Sequence, residues 1–246
     1  QPRLDALADL VALGTVADVV KLDANNRILV TRGLERMRKG SMRPGIRALF
    51  HVSGTDYKTA STSDLGFRIC PRINAAGRLA DMSIGIRCLI TDDEDEAMQL
   101  AEELDKINQQ RRHIEHEMSE QAIEFLAIKE EQNAQSFAAI CVYEDNWHQG
   151  VVGIVASRLK EKFWRPVFAF APGEDGEIRG SGRSVPDVHL RDALDLVSKR
   201  HPDLILKFGG HAMAAGLSLH KDGLDKFQQA LHDAIDAKAT EWKDIV

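Results

Sequence analysis

The sequence predicts an α/β protein in three parts: a helical N-terminal segment, one long helix, and a compact α/β domain with a mixed sheet. Apolar residues recur at helical spacing in short segments of the first part. They then recur every three or four residues in one stretch from Ala97 to Phe125. From Phe137 onward, strand-like and helix-like segments alternate. We therefore expect parts at 1–90, 91–134 and 135–240 of the 246 residues.

The first part is expected to fold as short helices joined by turns. Leu4 to Val20 and Asn26 to Arg38 both place apolar residues at helical spacing. Gly66 to Arg78 combines glycines, arginines and a proline, a composition typical of an ordered loop. Because ordered loops often carry function, this segment is a candidate binding element.

A long helix is predicted to follow. Thr91 and Glu94 have the spacing of a capping box, which predicts that a helix begins there. Some 35 residues at about 1.5 Å each would span roughly 50 Å, longer than a small domain is wide. We interpret this helix as a connector between two domains. A dimeric coiled coil is the alternative, although Arg111 interrupts the apolar stripe.

The last part is predicted to be one α/β domain. Strands are expected at 137–143, 167–171, 178–184 and 214–219, and helices at 151–163, 190–200 and 224–237. The sequence GEDG, residues 173–176, is expected to form a turn.

Composition narrows the possible partners. The formal net charge is −6, yet basic residues are concentrated between Arg27 and Arg47. Such a stretch predicts either a local phosphate-binding surface or a solvated helix face. Three widely spaced cysteines favour reduced thiols in a cytosolic compartment. Apolar runs are far shorter than the roughly 20 residues of a bilayer span, so we expect a soluble protein with no membrane partner.

Two segments of the N-terminal part place polar groups in an unusual setting. In LGTVADVV, Asp18 lies within an apolar run, and a buried carboxylate needs a partner or a metal ion. A helix-capping or turn aspartate is the alternative. In PRINAAGR, Arg72 and Arg78 flank Asn74 and several small residues. Guanidinium groups match phosphate oxygens two at a time, so this segment predicts polyanion binding, unless the arginines only hold the loop in place.

Three segments of the C-terminal part predict anion binding. NWHQG places Trp147 and His148 just before a predicted helix, and helix N-termini attract anions. A core tryptophan beside a capping histidine is the alternative. GSGRS and GGHAMAAG are glycine-rich turns whose N–H groups either face a phosphate or serve tight packing. Their candidate ligands are Ser181 and Arg183 in the first turn and His211 in the second.

Taken in order, LGTVADVV, PRINAAGR, WHQGVVGIVASRL, GSGRS and GGHAMAAG closely resemble the RecJ exonucleases of the DHH phosphoesterase superfamily. The resemblance implies a helical remnant of the DHH domain, a connecting helix and a DHH-associated substrate-binding domain. It implies a single-stranded-DNA-specific 5′→3′ exonuclease of DNA repair and recombination, acting in the cytoplasm. Single-stranded DNA is the implied substrate, and single-strand-binding protein and a helicase are implied partners.

The resemblance also implies roles for single residues. In the family, two Mn²⁺ or Mg²⁺ ions held by aspartates and a His-His pair activate water for attack on a phosphodiester. This sequence has no adjacent histidines, so we expect most metal ligands to precede Gln1 and the chain alone to be inactive. Asp18 matches the last metal-ligating aspartate and is therefore implied to be catalytic, as is His211. The implied substrate-binding residues are Arg72, Asn74, Arg78, His148, Ser181, Arg183, Ser184, Gly209, Gly210 and His211.

Two alternatives stay open. One is a DHH-family phosphodiesterase acting on short oligonucleotides or cyclic dinucleotides, which a preference for short substrates would indicate. The other is a non-catalytic nucleic-acid-binding module, which binding without hydrolysis would indicate.

Overall fold

The computed structural model describes residues 4–131 and 137–243, with side chains at 4–128 and 137–237. The chain divides into two compact units between Arg112 and His113, a point inside the long helix. The first unit is helical and the second contains a mixed sheet, so the predicted α/β class is confirmed.

The first unit consists of short helices packed around one apolar core. The helices are α1 (Ala8–Ala17), α2 (Ala24–Arg38), α3 (Pro44–Val52), the single turn α4 (Thr62–Asp64), α5 (Cys70–Leu79), α6 (Ser83–Ile90) and the first half of α7 (Glu94–Glu131). The two helices predicted before residue 40 are confirmed as α1 and α2. The largest fully buried side chains of this core are Met37, Ile46, Leu49, Phe50, Leu65, Ile69 and Leu104.

A buried carboxylate links α1 to α3. Asp9 is 0 % exposed and accepts hydrogen bonds from the backbone N–H groups of Leu10 (2.9 Å) and Arg43 (2.8 Å). Arg43 immediately precedes α3, so the α1 side chain holds the start of that helix. Backbone donors satisfy this carboxylate, as burial requires.

The predicted loop at Gly66 to Arg78 is wrong, because the segment is helical. A π-helical turn, Leu65–Ile69, leads directly into α5. Pro71 lies in the first turn of α5, the part of a helix that best tolerates proline. Small residues then let the helix pack closely, since Ala75 and Ala76 are buried. The composition of the segment gave a wrong prediction, because the helix-breaking residues of this segment lie at positions where a helix tolerates them.

The predicted long helix is confirmed as α7. Its 38 residues correspond to roughly 57 Å at about 1.5 Å per residue. The predicted capping box is wrong by two residues: Asp93 accepts from the N–H of Glu96 (2.8 Å), and Thr91 accepts from the N–H of Asp93 (3.2 Å). The predicted end at 134 lies outside the described residues.

The second unit contains a five-stranded sheet in the order β1-β2-β3-β5-β4. The strands are β1 (Ile140–Tyr143), β2 (Val167–Pro172), β3 (Glu177–Arg183), β4 (Lys207–Gly210) and β5 (Ala214–His220). β1 and β2 are parallel and the other neighbours are antiparallel. The sequence prediction missed β4, which is short, polar and glycine-rich because most of it is exposed.

Helices cover both faces of this sheet. α9 (Leu190–Arg200) and α10 (Leu224–Lys243) enclose the main core on one face, together with Phe168, Phe170 and Phe227. α8 (Val152–Phe163) packs on the other face against β2 and β3. The same face of β5 and β4 is left uncovered by α8, and Gly209 and Gly216 are exposed there.

The cysteines are buried, reduced thiols in this structure. Burial raises the pKa of Cys70 and of Cys88 to about 11. Both thiols are therefore protonated near neutral pH and unsuited to nucleophilic or redox roles. Within the described residues, no helix is both long and apolar enough to cross a membrane.

Candidate nucleic-acid interface

Asp18 lies at an exposed helix end. It follows the last residue of α1, and its N–H donates to the carbonyl of Gly14 (3.0 Å). The interpretation of Asp18 as a helix-capping or turn aspartate is confirmed, and the carboxylate is not buried, because α1 stops at Ala17 and both following valines face solvent. The carboxylate is therefore accessible to an ion or another chain segment.

The residue after Asp18 has a strained backbone. Val19 has φ +52° and is 88 % exposed. A β-branched residue in the left-handed region is rare, and such strain concentrates at functional sites. It fixes the direction in which the chain leaves Asp18.

Val19→Gly is expected to stabilise the chain. Glycine removes a left-handed cost of about 1–2 kcal/mol but adds about 0.5–1 kcal/mol of chain entropy, for a net gain of roughly 0.5–1 kcal/mol. Urea denaturation followed by circular dichroism measures it. Val20→Gly is the matched control, since Val20 has no positive φ, and it should destabilise. An equal loss of stability in both variants would contradict the strain argument.

The PRINAAGR helix divides its polar residues between packing and solvent. The Nε of Arg72 lies 2.8 Å from a carboxylate oxygen of Asp105 on α7, and both side chains are mostly buried. Arg72 also donates to the carbonyl of Arg68. Asn74 and Arg78 are exposed one helical turn apart, so they share a face. Arg72 therefore secures α5 against α7, and the other two are presented to solvent.

An exposed aromatic side chain on the π turn escaped the sequence prediction. Phe67 is 83 % exposed. The π turn presents it to solvent immediately before α5. An exposed phenylalanine is a signal for a binding surface. Sequence alone does not distinguish Phe67 from the phenylalanines of the core. π turns often occur at functional sites.

In the second unit, β3 points Ser181 and Arg183 away from the main core. A Cβ placed on Gly180 or Gly182 would lie 2.3 Å from a ring atom of Phe170 or Phe168, so these glycines face the core rings. Side chains alternate along a strand, so Ser181 and Arg183 face the opposite side. The GSGRS sequence is therefore strand, with its glycines making room for aromatic packing.

Ser181 and Arg183 form a compact pair beneath α8. Arg183 Nη1 donates to Ser181 Oγ (3.1 Å) and to the carbonyl of Gly182 (2.8 Å). A Cβ on Gly153 would lie 3.0 Å from both side chains, so this α8 glycine permits their close approach. A preorganised guanidinium beside a hydroxyl is suited to binding phosphate oxygens.

A floor of bare backbone adjoins this pair. Ser181 pairs with Gly216 of β5, and Gly216 pairs with Gly209 of β4. A Cβ on Gly209 would meet no atom within 4 Å, and one on Gly216 would meet only the carbonyl of Gly180 at 3.7 Å. A ligand can therefore approach the sheet directly at this row.

The turn after β4 fixes His211 beside that floor. Gly210 has φ +144°, and a Cβ there would lie 2.4 Å from the carbonyl oxygen of Ala214, so only glycine fits. His211 N–H donates to that same carbonyl (2.8 Å), and His211 Nδ1 accepts from the N–H of Met213 (3.3 Å). In the neutral ring, Nε2 then carries the proton and is the donor available to a ligand.

The remaining predicted site residues differ in accessibility. His148 is exposed, and its Nδ1 accepts from the N–H of Gly150 (3.0 Å) just before α8. Ser184 is 2 % exposed, and its hydroxyl donates to the carbonyl of Val188 (2.6 Å). Its N–H donates to the carbonyl of Met213 (3.0 Å), so Ser184 ties β3 to the turn that carries His211.

Trp147 belongs to the core, as its alternative interpretation had it. The side chain is 4 % exposed. Its Nε1 donates to the amide oxygen of Gln121 on α7 (2.8 Å). It is therefore not available for base stacking.

Comparison with known proteins identifies this arrangement. The DHHA1 domain family matches residues 134–237, which include every strand of the sheet. The chain is 54 % identical over 244 residues to the single-stranded-DNA-specific exonuclease RecJ of Dickeya dadantii. It is 52 % identical over 243 residues to the RecJ of Escherichia coli. Each alignment covers 99 % of this chain. The chain belongs to the RecJ family.

Solved RecJ structures have the same fold. Against RecJ of Thermus thermophilus in complex with Mg²⁺, the TM-score is 0.81 at 34 % identity, covering 96 % of this chain and 35 % of that one. Against another exonuclease RecJ, bound to manganese, the TM-score is 0.78 at 35 % identity. The match covers 96 % of this chain and 56 % of that one. The chain spans 41–42 % of the length of the RecJ sequences from D. dadantii and E. coli.

The solved RecJ structures contain Mg²⁺ or Mn²⁺, and the described part of this chain has few residues that could hold such an ion. Mg²⁺ and Mn²⁺ need several oxygen or nitrogen ligands at once. Across the residues whose structure is described, no group of three or more His, Cys, Asp or Glu side chains could hold a metal ion. Asp18 could supply one carboxylate, which does not by itself make a metal site.

Proposed function

We propose that this chain is the substrate-holding part of a RecJ exonuclease, a metal-dependent 5′→3′ nuclease specific for single-stranded DNA. The Ser181–Arg183 pair beside the floor of Gly209 and Gly216 carries this proposal. The half-buried pair supplies a permanent cation and a hydroxyl beneath α8, and the adjoining floor supplies exposed backbone. Phosphate is the ligand chemistry that matches all three.

The geometry suggests how one strand end would bind. Arg183 and Ser181 would contact the 5′ phosphate, while the glycine floor lets the sugar or base approach the sheet. His211 would donate from Nε2 to the same nucleotide, and His148 would donate similarly from the start of α8. Because no base edge is read, this binding would tolerate any sequence.

The helical unit would supply a second contact surface. Asn74 and Arg78 would contact backbone phosphates, and Phe67 could stack on a base, a contact worth about 1–3 kcal/mol in single-strand binders. Arg72 would position α5 through its ion pair with Asp105. This assigns 1–90 to the DHH domain, 91–134 to the connecting helix and 135–240 to the DHH-associated domain.

Catalysis would depend on Mn²⁺ or Mg²⁺, the ions named for the solved RecJ structures. Such ions would activate water and stabilise charge on the phosphate. We assign one ligand, Asp18, to this chain and the others to the remainder of a longer RecJ polypeptide. A role in DNA repair and recombination in the cytoplasm, beside single-strand-binding protein and a helicase, completes the proposal.

Arg183→Ala is expected to weaken single-strand binding by roughly tenfold and to lower the salt slope by about 0.7, since one phosphate contact is lost. Fluorescence anisotropy with a 5′-phosphorylated oligothymidylate over a salt series measures both. Arg200→Ala, which removes an exposed arginine in the last turn of α9, is the charge-matched control. Unchanged affinity and slope in Arg183→Ala would reject the proposed phosphate site.

The catalytic assignment has a separate test. The chain is incubated with manganese and a 3′-labelled single strand, beside a duplex control. Binding without shortening is expected. Shortening from the 5′ end would show that the chain holds enough of the metal centre to act alone, and would overturn the assignment of most ligands to residues elsewhere.

A further inference from the structure

A second cationic row crosses the open sheet face next to the Ser181 row. Arg179 of β3 pairs with Ser218 of β5, and Ser218 pairs with Lys207 of β4. Arg179 and Lys207 are exposed, and Ser218 is half-buried. Arg179 and Ser218 lie two residues from Ser181 and Gly216 on their strands, and Lys207 pairs with Ser218. Because side chains alternate along a strand, all three point to the same face as Ser181.

The charges of this row are not neutralised by neighbouring carboxylates. Lys207 forms no ion pair within the described residues, and Arg179 donates to the amide oxygen of Gln149 (3.4 Å). By contrast, Lys199 and Lys221 of the same unit each bond an aspartate. A pair of uncompensated cations with a hydroxyl between them is a locally positive surface on an acidic chain.

The spacing of the rows fits an extended polyanion. Neighbouring same-face positions along a strand are roughly 7 Å apart, so the cationic row lies about that far from the Ser181 row. This separation is comparable with that of successive phosphates in an extended strand. Gly216 and Gly209 complete the Ser181 row, so beyond Ser181 this row has no side chain that would block a strand passing to the cationic row.

From this register we propose that Arg179, Ser218 and Lys207 form a second phosphate subsite for the same DNA strand. The inference rests on the proposed function and deepens it, because it adds an internal phosphate contact to the Ser181–Arg183 site. Arg179 is positioned by Gln149, whose own amide nitrogen donates to the carbonyl of Pro172 (2.6 Å). Gln149, just before α8, therefore orients Arg179, and Gly153 of α8 leaves room for Arg183.

The test uses the whole chain with 3′-labelled short oligothymidylates followed by anisotropy. Lys207→Ala is expected to weaken binding roughly three- to tenfold and to lower the salt slope by about 0.7. Lys226→Ala on α10 removes the same charge from an exposed position on another layer and is expected to change little. Lys207→Arg should restore binding, because the charge is regained.

Neutral methylphosphonates placed at one linkage at a time then locate the contact. The loss caused by Lys207→Ala should disappear when one particular internal linkage is neutralised, and it should persist when the 5′ phosphate is replaced by hydroxyl. If Lys207→Ala lost the same affinity for every oligonucleotide, or only as much as Lys226→Ala loses, the subsite would be rejected. Lys207 would then contribute only a non-specific electrostatic attraction.

Arg183→Ala separates the two proposals. If Arg183→Ala weakens binding and Lys207→Ala does not, the second subsite is rejected and the proposed function stands. If neither variant changes binding, both are rejected.

Discussion

Trp147→Ala is expected to lower the free energy of unfolding of the second unit by about 3–5 kcal/mol, the usual cost of deleting a buried aromatic side chain. Trp147 is 4 % exposed, and its indole N–H is bonded to Gln121 at 2.8 Å. The substitution creates a cavity between α7 and the segment before α8 and leaves the Gln121 amide without this donor. Urea denaturation followed by far-ultraviolet circular dichroism measures the loss.

Two further variants separate the stability cost of the cavity from the cost of the lost hydrogen bond. Trp147→Phe keeps most of the volume and should cost about 1–2 kcal/mol, mainly for the lost hydrogen bond. Trp164→Ala removes a tryptophan that is 67 % exposed and should change stability by less than about 0.5 kcal/mol. If Trp147→Ala and Trp164→Ala had equal effects, Trp147 would not be a core anchor.

Regular elements could be predicted from the sequence because burial imposes a period on them. α7 buries one stripe, so its residues repeat every three or four positions, and β2 is buried along almost its whole length, so it is a continuous apolar run. β4 has no such pattern. Three of its four residues are exposed, so burial imposes no period there.

Local composition gave no reliable prediction where the surrounding structure determines how a residue behaves. Pro71 predicts a break in most settings, yet at the start of α5 it is compatible with a helix. The apolar neighbours of Asp18 left a buried carboxylate and a helix-capping aspartate both open, and the end of α1 at Ala17, which exposes those neighbours, decides for the cap. Neither outcome is encoded within a few residues of the position concerned.

The candidate site was predicted only in part, because register is not visible in a single sequence. GSGRS and GGHAMAAG were recognised as glycine-rich segments with polar side chains. The pairing of Ser181 with Gly216, and of Gly216 with Gly209, became apparent only in the sheet. The cationic row of Arg179 and Lys207 was missed for the same reason, since only the strand register brings these two residues into one row.

Two adjacent glycines of the GGHAMAAG segment are expected to differ in how strongly an alanine substitution destabilises the protein. Gly210→Ala should destabilise the second unit by about 3 kcal/mol or more, through left-handed backbone strain and overpacking. At φ +144° its Cβ would lie 2.4 Å from the carbonyl oxygen of Ala214 and 2.5 Å from the Cα of Ala215. Backbone atoms cannot rotate away, so the turn that carries His211 must shift.

Gly209→Ala should leave stability unchanged within about 0.5 kcal/mol, since an exposed strand accepts alanine at least as well as glycine. Nothing lies within 4 Å of its added Cβ. If the floor holds a nucleotide, however, that methyl group occupies the ligand's place and should weaken single-strand binding about tenfold, or about 1.4 kcal/mol. Thermal unfolding and anisotropy on the same preparations give both numbers. A Gly209→Ala variant that is stable and binds normally would show that the strand does not lie on this floor, whereas stable folding of Gly210→Ala would refute the backbone constraint on the turn.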